Sequence, residues 1–292
     1  VSDTPIPPAT PVPPPPGKAA KPPKPPKPPR GPKETLLLAR KHALRTALAL
    51  AILAPLLIAV GIFCVRTDRL SLQTGYQLMI LGIAPAFASI ALILGVFGLV
   101  AALLIPPRKG AVTALVSVAL GAVVLFGIAQ HRLGAADTPP IHDVATDWRD
   151  PLLFSPAMLA VRGEKANPVE LAPVVPEGPR NAFLGRPVAM VNASTCPAAT
   201  PAVLESDVPF AYNRARIAVM KFGWTIVTDD RAGGRLEATA RSLWLNQPYD
   251  VVVRVRPEGA GARVDIRSIS RFGQSDRGAN CQLVTRLRKA ME

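Results

Sequence analysis

The sequence predicts three transmembrane α-helices followed by an α+β domain, whose four-stranded antiparallel sheet carries its flanking helices on one face. Three observations predict this. Leu78–Ile105 is twenty-eight residues without a charged side chain, and a bilayer core of about 30 Å needs roughly 20 apolar residues in a helix. Two more such runs, Thr46–Val65 and Ala111–Gln130, flank it. Beyond residue 206 the pattern turns to short alternating runs punctuated by glycine, the signature of strands and hairpins.

The domains follow from these shifts. Residues 1–40 form a Pro/Lys-rich tail, 41–132 a three-helix membrane block, 133–205 an irregular arm, and 206–292 an α+β core. The formal net charge is +14, with nine Lys/Arg against two acids in residues 1–45 and twenty-one against seventeen in residues 131–292. Basic excess concentrated beside a membrane points to anionic lipid as a partner and not to nucleic acid. The tail's composition is expected to stay disordered or to sample polyproline II. Lys18, Lys21, Lys24, Lys27, Arg30 and Lys33 recur every third residue. In polyproline II, with three residues per turn, they line one edge and suit lipid headgroups, or they serve a solvated spacer that fixes topology. The first residue is Val1 and the first methionine Met79, so the true start is expected elsewhere or at a non-AUG codon.

The loops between spans are short, so basic residues set their orientation. Arg40, Lys41, His42 and Arg45 precede the first span, and Arg108 and Lys109 fill the second loop. The first loop, Arg66–Gln77, is nearly neutral. The expectation is a bacterial inner-membrane protein with its N-terminus cytoplasmic and its C-terminal domain periplasmic. Small residues recur at four-residue spacing as Ala84/Ala88, Ala91/Gly95 and Ser117/Gly121, which permits close helix approach. No charge lies within a span, which argues against a transporter or pump.

In the C-terminal core, Ser206 or Asp207 is placed to cap a helix with Pro209 in its first turn. Phe210, Ile217 and Met220 give its period, and Gly223 ends it. Strands are expected at 224–228, 235–243, 250–256 and 262–269. On the last three, Leu236/Ala238/Ala240, Val251/Val253/Val255 and Ala262/Val264/Ile266 share one face. Charged residues share the other. Gly233–Gly234 and Glu258–Gly261 are hairpin turns. Asn280–Met291 closes the domain as a helix. Such alternation favours an antiparallel sheet with helices on its apolar face.

Two segments of this half, PPIHDVATDWRDP and RSISRFGQSDRGAN, resemble the signature segments of domain-of-unknown-function family 1499. The likeness rests on Ile141, His142, Asp143, Thr146 and Asp147, then on Arg267, Ser268, Ser270, Arg271, Gly273, Ser275, Asp276, Gly278 and Asn280. It spans about residues 138–290 and leaves the tail and spans outside. The family implies domain identity, with no established reaction.

The chemistry is sparse. His142, Asp143, Ser275 and Asp276 are the candidates for acid–base and nucleophilic work, or for turns in which the acids accept backbone N–H groups. No nucleophile elbow, zinc-protease helix, paired Cys-x-x-Cys or phosphate loop occurs. His142 with Asp143 or Asp147 is an incomplete ligand set, so no metal and no cofactor are expected. Arg254, Arg256, Arg263 and Arg267, with Arg241 and Arg271 nearby, offer guanidinium groups for an anionic ligand or pair with interspersed acids. The expected function is a membrane-anchored extracytoplasmic binding or assembly factor of the cell envelope, holding an envelope protein or an anionic envelope ligand. The alternative is an envelope hydrolase using His142 with Ser275 and Asp276. Cys196 and Cys281 are expected to pair outside the cytoplasm, pinning the arm to the core.

Overall fold

The computed structural model describes residues 31–136, 138–176 and 183–292. Lys18, Lys21, Lys24, Lys27 and Arg30 lie outside the described residues. Lys33 is exposed in the first turn of helix α1 (Pro32–Arg66). A π-helical segment, Gln73–Ile83, runs into α2 (Ala84–Leu104), with Pro85 in the first turn of α2. Helix α3 spans Ala111–Ala136. By length and composition α1, Gln73–Leu104 and Ala111–Gly134 can each cross a membrane.

Ala84, Ala88, Ala91 and Ser117 are fully buried. A Cβ on Gly121 would meet the Ala88 carbonyl oxygen at 2.9 Å, so glycine there sets how closely α3 approaches α2. Ala54, Ile80, Ala88, Val124 and Ile128 form the apolar cluster at the centre of the block. Arg40, read from the sequence only as a topological signal, is buried. Its guanidinium donates to the carbonyls of Ala101, Ile105 and Pro107 at 3.3, 2.9 and 2.9 Å. It thereby adds a second donor to the Ala101 carbonyl, which also accepts from Ile105 N–H, and supplies a donor to the Ile105 carbonyl at the C-terminal end of α2.

The C-terminal domain continues β1 (Asp143–Ala145), α4 (Pro156–Arg162), α5 (Val188–Thr195), β2 (Ala202–Leu204), α6 (Val208–Lys221), β3 (Thr225–Asp230), β4 (Arg235–Arg241), β5 (Pro248–Glu258), β6 (Gly261–Ser270) and α7 (Ala279–Met291). The antiparallel sheet has six strands, where the sequence pattern predicts four. Strands β3–β6 are the expected ones, in the order β6-β5-β4-β3. The other two share the free edge of β6. β1 pairs with Arg267–Ile269 and β2 with Ala262–Val264. Each is three residues long, too short to show a period of two, and each comes from the stretch expected to be irregular.

The hairpin at Gly233–Gly234 forms as expected. Gly234 has φ +63°, and a Cβ there would lie 2.2 Å from the Val255 carbonyl oxygen. Helix α6 starts where predicted, with Asp207 Oδ1 accepting from Phe210 N–H at 2.9 Å, and Gly223 (φ 71°) ends it. Its buried face differs from the expected one. Ala211, Tyr212, Ala215, Ala218 and Val219 face the sheet, while Phe210, Ile217 and Met220 are exposed. Alanines let the helix lie close to the strands, and close packing outweighs side-chain size there.

Both sheet faces are covered. Helices α5, α6 and α7 bury the apolar face around Leu236, Val251, Val253 and Ile266. Segment 147–170, with α4, covers the charged face, where Leu152, Phe154 and Met158 pack on Val252 and Ile269. Helices on one face only is therefore corrected: α4 lies on the other.

Candidate functional site

The two signature segments lie more than a hundred residues apart in sequence and meet along one seam. Strand β1 sets Asp143 beside Ile269, which directs its carboxylate to Arg267 on the charged face. Arg267 Nε donates to Asp143 Oδ1 at 3.0 Å and Nη2 to Oδ2 at 2.6 Å. Its remaining N–H groups reach the carbonyls of Leu152 at 2.8 Å and Glu170 at 2.6 Å. The Arg267 side chain is 0% exposed and Asp143 is 4%. Burial pushes the Asp143 carboxyl above the usual range, opposed by the Arg267 guanidinium.

The other motif residues brace the same seam. The Ser270 N–H donates to the His142 carbonyl at 2.9 Å, and the Asp276 N–H donates to the Ile141 carbonyl at 2.9 Å. Asn280 Nδ2 donates to the His142 carbonyl at 2.8 Å, and its Oδ1 accepts from Ser268 at 2.6 Å. Asp276 accepts from the N–H groups of Gly278 at 2.7 Å and Asn280 at 2.9 Å, fixing the start of α7. Burial raises the Asp276 carboxyl and those N–H groups pull against it. The Ser275 hydroxyl donates to the Pro139 carbonyl at 3.2 Å and accepts from Arg277 N–H at 3.2 Å. Thr146 forms a two-way pair with Ile266, at 2.8 and 2.9 Å. Asp147 accepts from Arg263 at 2.6 Å. Burial works to raise Asp147, but the Arg149 N–H and Arg263 hold it below the usual carboxylate range.

The candidate arginines form a dense network. Asp250, fully buried, takes Arg271 through both oxygens at 2.8 Å, Arg162 at 2.8 Å and the Thr239 hydroxyl at 2.7 Å. Asp265 holds Arg254 at 2.9 Å, Arg263 at 2.8 Å and Arg256 at 3.2 Å. Glu237 accepts from Ser155, Thr228 and Arg235. Arg241 stands apart, exposed, donating to the Asn246 carbonyl at 3.1 Å. Arg162, Asn192 and Asp250 go beyond the sequence reading. Asn192 Oδ1, buried, accepts from Ala145 N–H at 3.0 Å and Trp148 Nε1 at 2.8 Å. The one sequence signal for Asp250 is an acid on the strand face that also carries Arg254.

His142 is half-buried, with Nδ1 3.4 Å from the Gln274 carbonyl oxygen. Its ring lines a cleft of about 230 Å³ whose walls include Ile141, Pro168, Glu170, Val174 and Val188. Ser275 is not among the residues that line this cleft. Cys196, at the end of α5, is joined to Cys281 in the first turn of α7, with Cα atoms 5.9 Å apart. Among the described residues no group of three or more His, Cys, Asp or Glu is placed to hold a metal ion.

A family model described as "Protein of unknown function (DUF1499)" matches residues 143–291. A comparison with curated proteins finds no match.

Proposed function

Since the chain belongs to the DUF1499 family, we propose a role drawn from its geometry: a membrane-anchored extracytoplasmic binding or assembly factor of the bacterial cell envelope. One observation carries this reading. Apart from His142, the motif's polar side chains are taken up in bonds along the seam and the charged sheet face, while the open space beside them is a cleft walled mainly by Ile, Pro and Val, with His142, Asp143 and Glu170 also lining it. Pre-formed apolar concavity with few polar groups suits binding. His142 and Glu170 at that cleft are the groups able to orient a ligand, and an envelope protein segment or an anionic envelope ligand is the proposed occupant. A hydrolase using His142 with Ser275 and Asp276 would need Ser275 and Asp276 to leave the bonds that hold the turn before α7.

In this reading the N-terminus and the loop carrying Arg108 and Lys109 are cytoplasmic, the C-terminal domain is periplasmic, and the lysine-rich tail attracts lipid headgroups. Alkaline phosphatase fused after Glu292 should be active and fused after Lys109 inactive; the reverse would overturn the orientation. A photo-crosslinker at Val174, an exposed residue of the cleft, should capture a discrete envelope component in cells. The binding reading fails if instead the purified full chain hydrolyses an envelope ester or amide and His142→Ala abolishes turnover while the fold persists.

A further inference from the structure

We propose that the turn joining β4 to β5 is a second membrane contact, in which Leu243 and Trp244 enter the lipid headgroup layer beside the end of α1. The proposal rests on the reading of α1 as a membrane span. The turn is held by its own bonds. The Ser242 N–H donates to the Gln247 carbonyl at 2.9 Å, and Gln247 N–H donates to the Ser242 hydroxyl at 2.9 Å. Asn246 sits at φ 54°, and Arg241 bonds its carbonyl. At the tip this leaves two large apolar side chains in the open, Leu243 at 74% and Trp244 at 69% exposure. Two adjacent large apolar side chains exposed at one tip form a small contiguous patch of the kind that marks an interaction site.

Position says what covers them. Asn246 Nδ2 donates to the Arg66 carbonyl at 3.2 Å, and the Arg66 guanidinium donates to the Leu243 carbonyl. The tip therefore lies against the last residue of α1. The exposed apolar surface of that helix runs to Phe63, three residues earlier, a rise of about 4.5 Å. The headgroup layer on each side of a bilayer is roughly 5–8 Å deep, so the tip falls within it. Tryptophan favours this zone because its ring is apolar and its N–H finds water or phosphate. Arg66 and Arg241 bond the turn, and Arg69, in the loop after α1, stacks 5.4 Å from the Phe63 ring centroid. They supply the cations that anionic headgroups attract. Two anchor points, α1 and this turn, would hold the domain at a fixed tilt over the membrane.

All three tryptophans, Trp148, Trp224 and Trp244, lie in the C-terminal domain, so quenching by lipid reports only on contact between that domain and the bilayer. The full chain would be reconstituted in vesicles of phosphatidylcholine and phosphatidylglycerol whose acyl chains carry bromine. Quenching should be present in the wild type, lost in Trp244→Phe and retained in Trp148→Phe. An unquenched wild type, or quenching that survives Trp244→Phe, overturns the anchor. Failure of the span itself would appear separately, as loss of the protein from the vesicle fraction or as inverted phosphatase fusions.

Discussion

Replacing Arg267 by Met tests whether the charged seam holds the domain together. The Arg267 side chain is fully buried and makes two bonds to Asp143 and one each to the carbonyls of Leu152 and Glu170. Methionine is apolar and unbranched, so the loss is chiefly of bonds and charge. Removing one partner of a buried ion pair leaves the other uncompensated, at a cost of about 3–5 kcal/mol. At roughly 2–4 °C per kcal/mol for a domain of this size, the melting temperature should fall by about 6–20 °C. Tryptophan fluorescence of the full chain reads the transition in the domain alone. Asp143→Leu combined with Arg267→Met should recover part of the loss, because neither charge of this pair is then left buried without its partner. The carbonyls of Leu152 and Glu170 still lack donors, which leaves a residual cost of about 1–3 kcal/mol. The variant also carries a pH signature. Burial already pushes Asp143 upward, and without Arg267 only the charges of His142 and Arg162 oppose it. A carboxyl raised in the folded state destabilises it as pH rises from the ordinary value near 4 through the folded value. Arg267→Met should therefore regain stability relative to wild type as pH falls from 7 toward 4. A melting shift under about 2 °C, or a double variant no better than Arg267→Met, would refute the reasoning.

Other expectations follow from single contacts. Under non-reducing conditions, thiol labelling should reach Cys64 alone, and replacing Cys196 and Cys281 by Ala should lower stability by up to about 4–5 kcal/mol for a link spanning 85 residues; labelling of all three cysteines contradicts the pairing. Asp276→Ala strips the acceptor from the N–H groups of Gly278 and Asn280 and should cost about 1–3 kcal/mol in the same melting assay; unchanged stability with lost cellular function would move Asp276 to a ligand-binding role. Burial, and secondarily Asp276, push the Tyr249 hydroxyl up to about 12. Its contribution is fully present below pH 10 and is lost as pH rises through about 12, so wild type should lose roughly 2–3 kcal/mol more than Tyr249→Phe across that window, read by alkaline unfolding.

The parts of this fold legible in the sequence are those written in long periodic runs. Twenty apolar residues can be counted, and β4–β6 alternate over seven or more residues each. Strands β1 and β2 fail that test because three residues do not make a period. They exist as strands because β6 offers an unpaired edge along its whole length, which is a property of the partner and not of Val144 or Val203. Helix α6 misleads for a related reason. Its largest apolar residues are exposed, and alanines, which carry weak hydrophobic signal, make the close face.

The charged face shows the deeper limit. Alternation places Arg254, Asp265 and Arg267 on one side of a sheet, but it says nothing of what lies over them. A solvated face and a sealed one have the same pattern. What distinguishes them is the bookkeeping of donors: Arg267 makes four bonds, and two end on carbonyls of the segment 147–170. That segment carries Leu152, Phe154 and Met158, whose burial against Val252 and Ile269 favours closure over a charged surface. Closure then removes water from the ion pairs, so each must be nearly fully bonded to persist. The motif residues meet that requirement. His142 is the motif side chain left with a single long contact and an open cleft, which makes it the residue at which binding, and not only folding, can be tested.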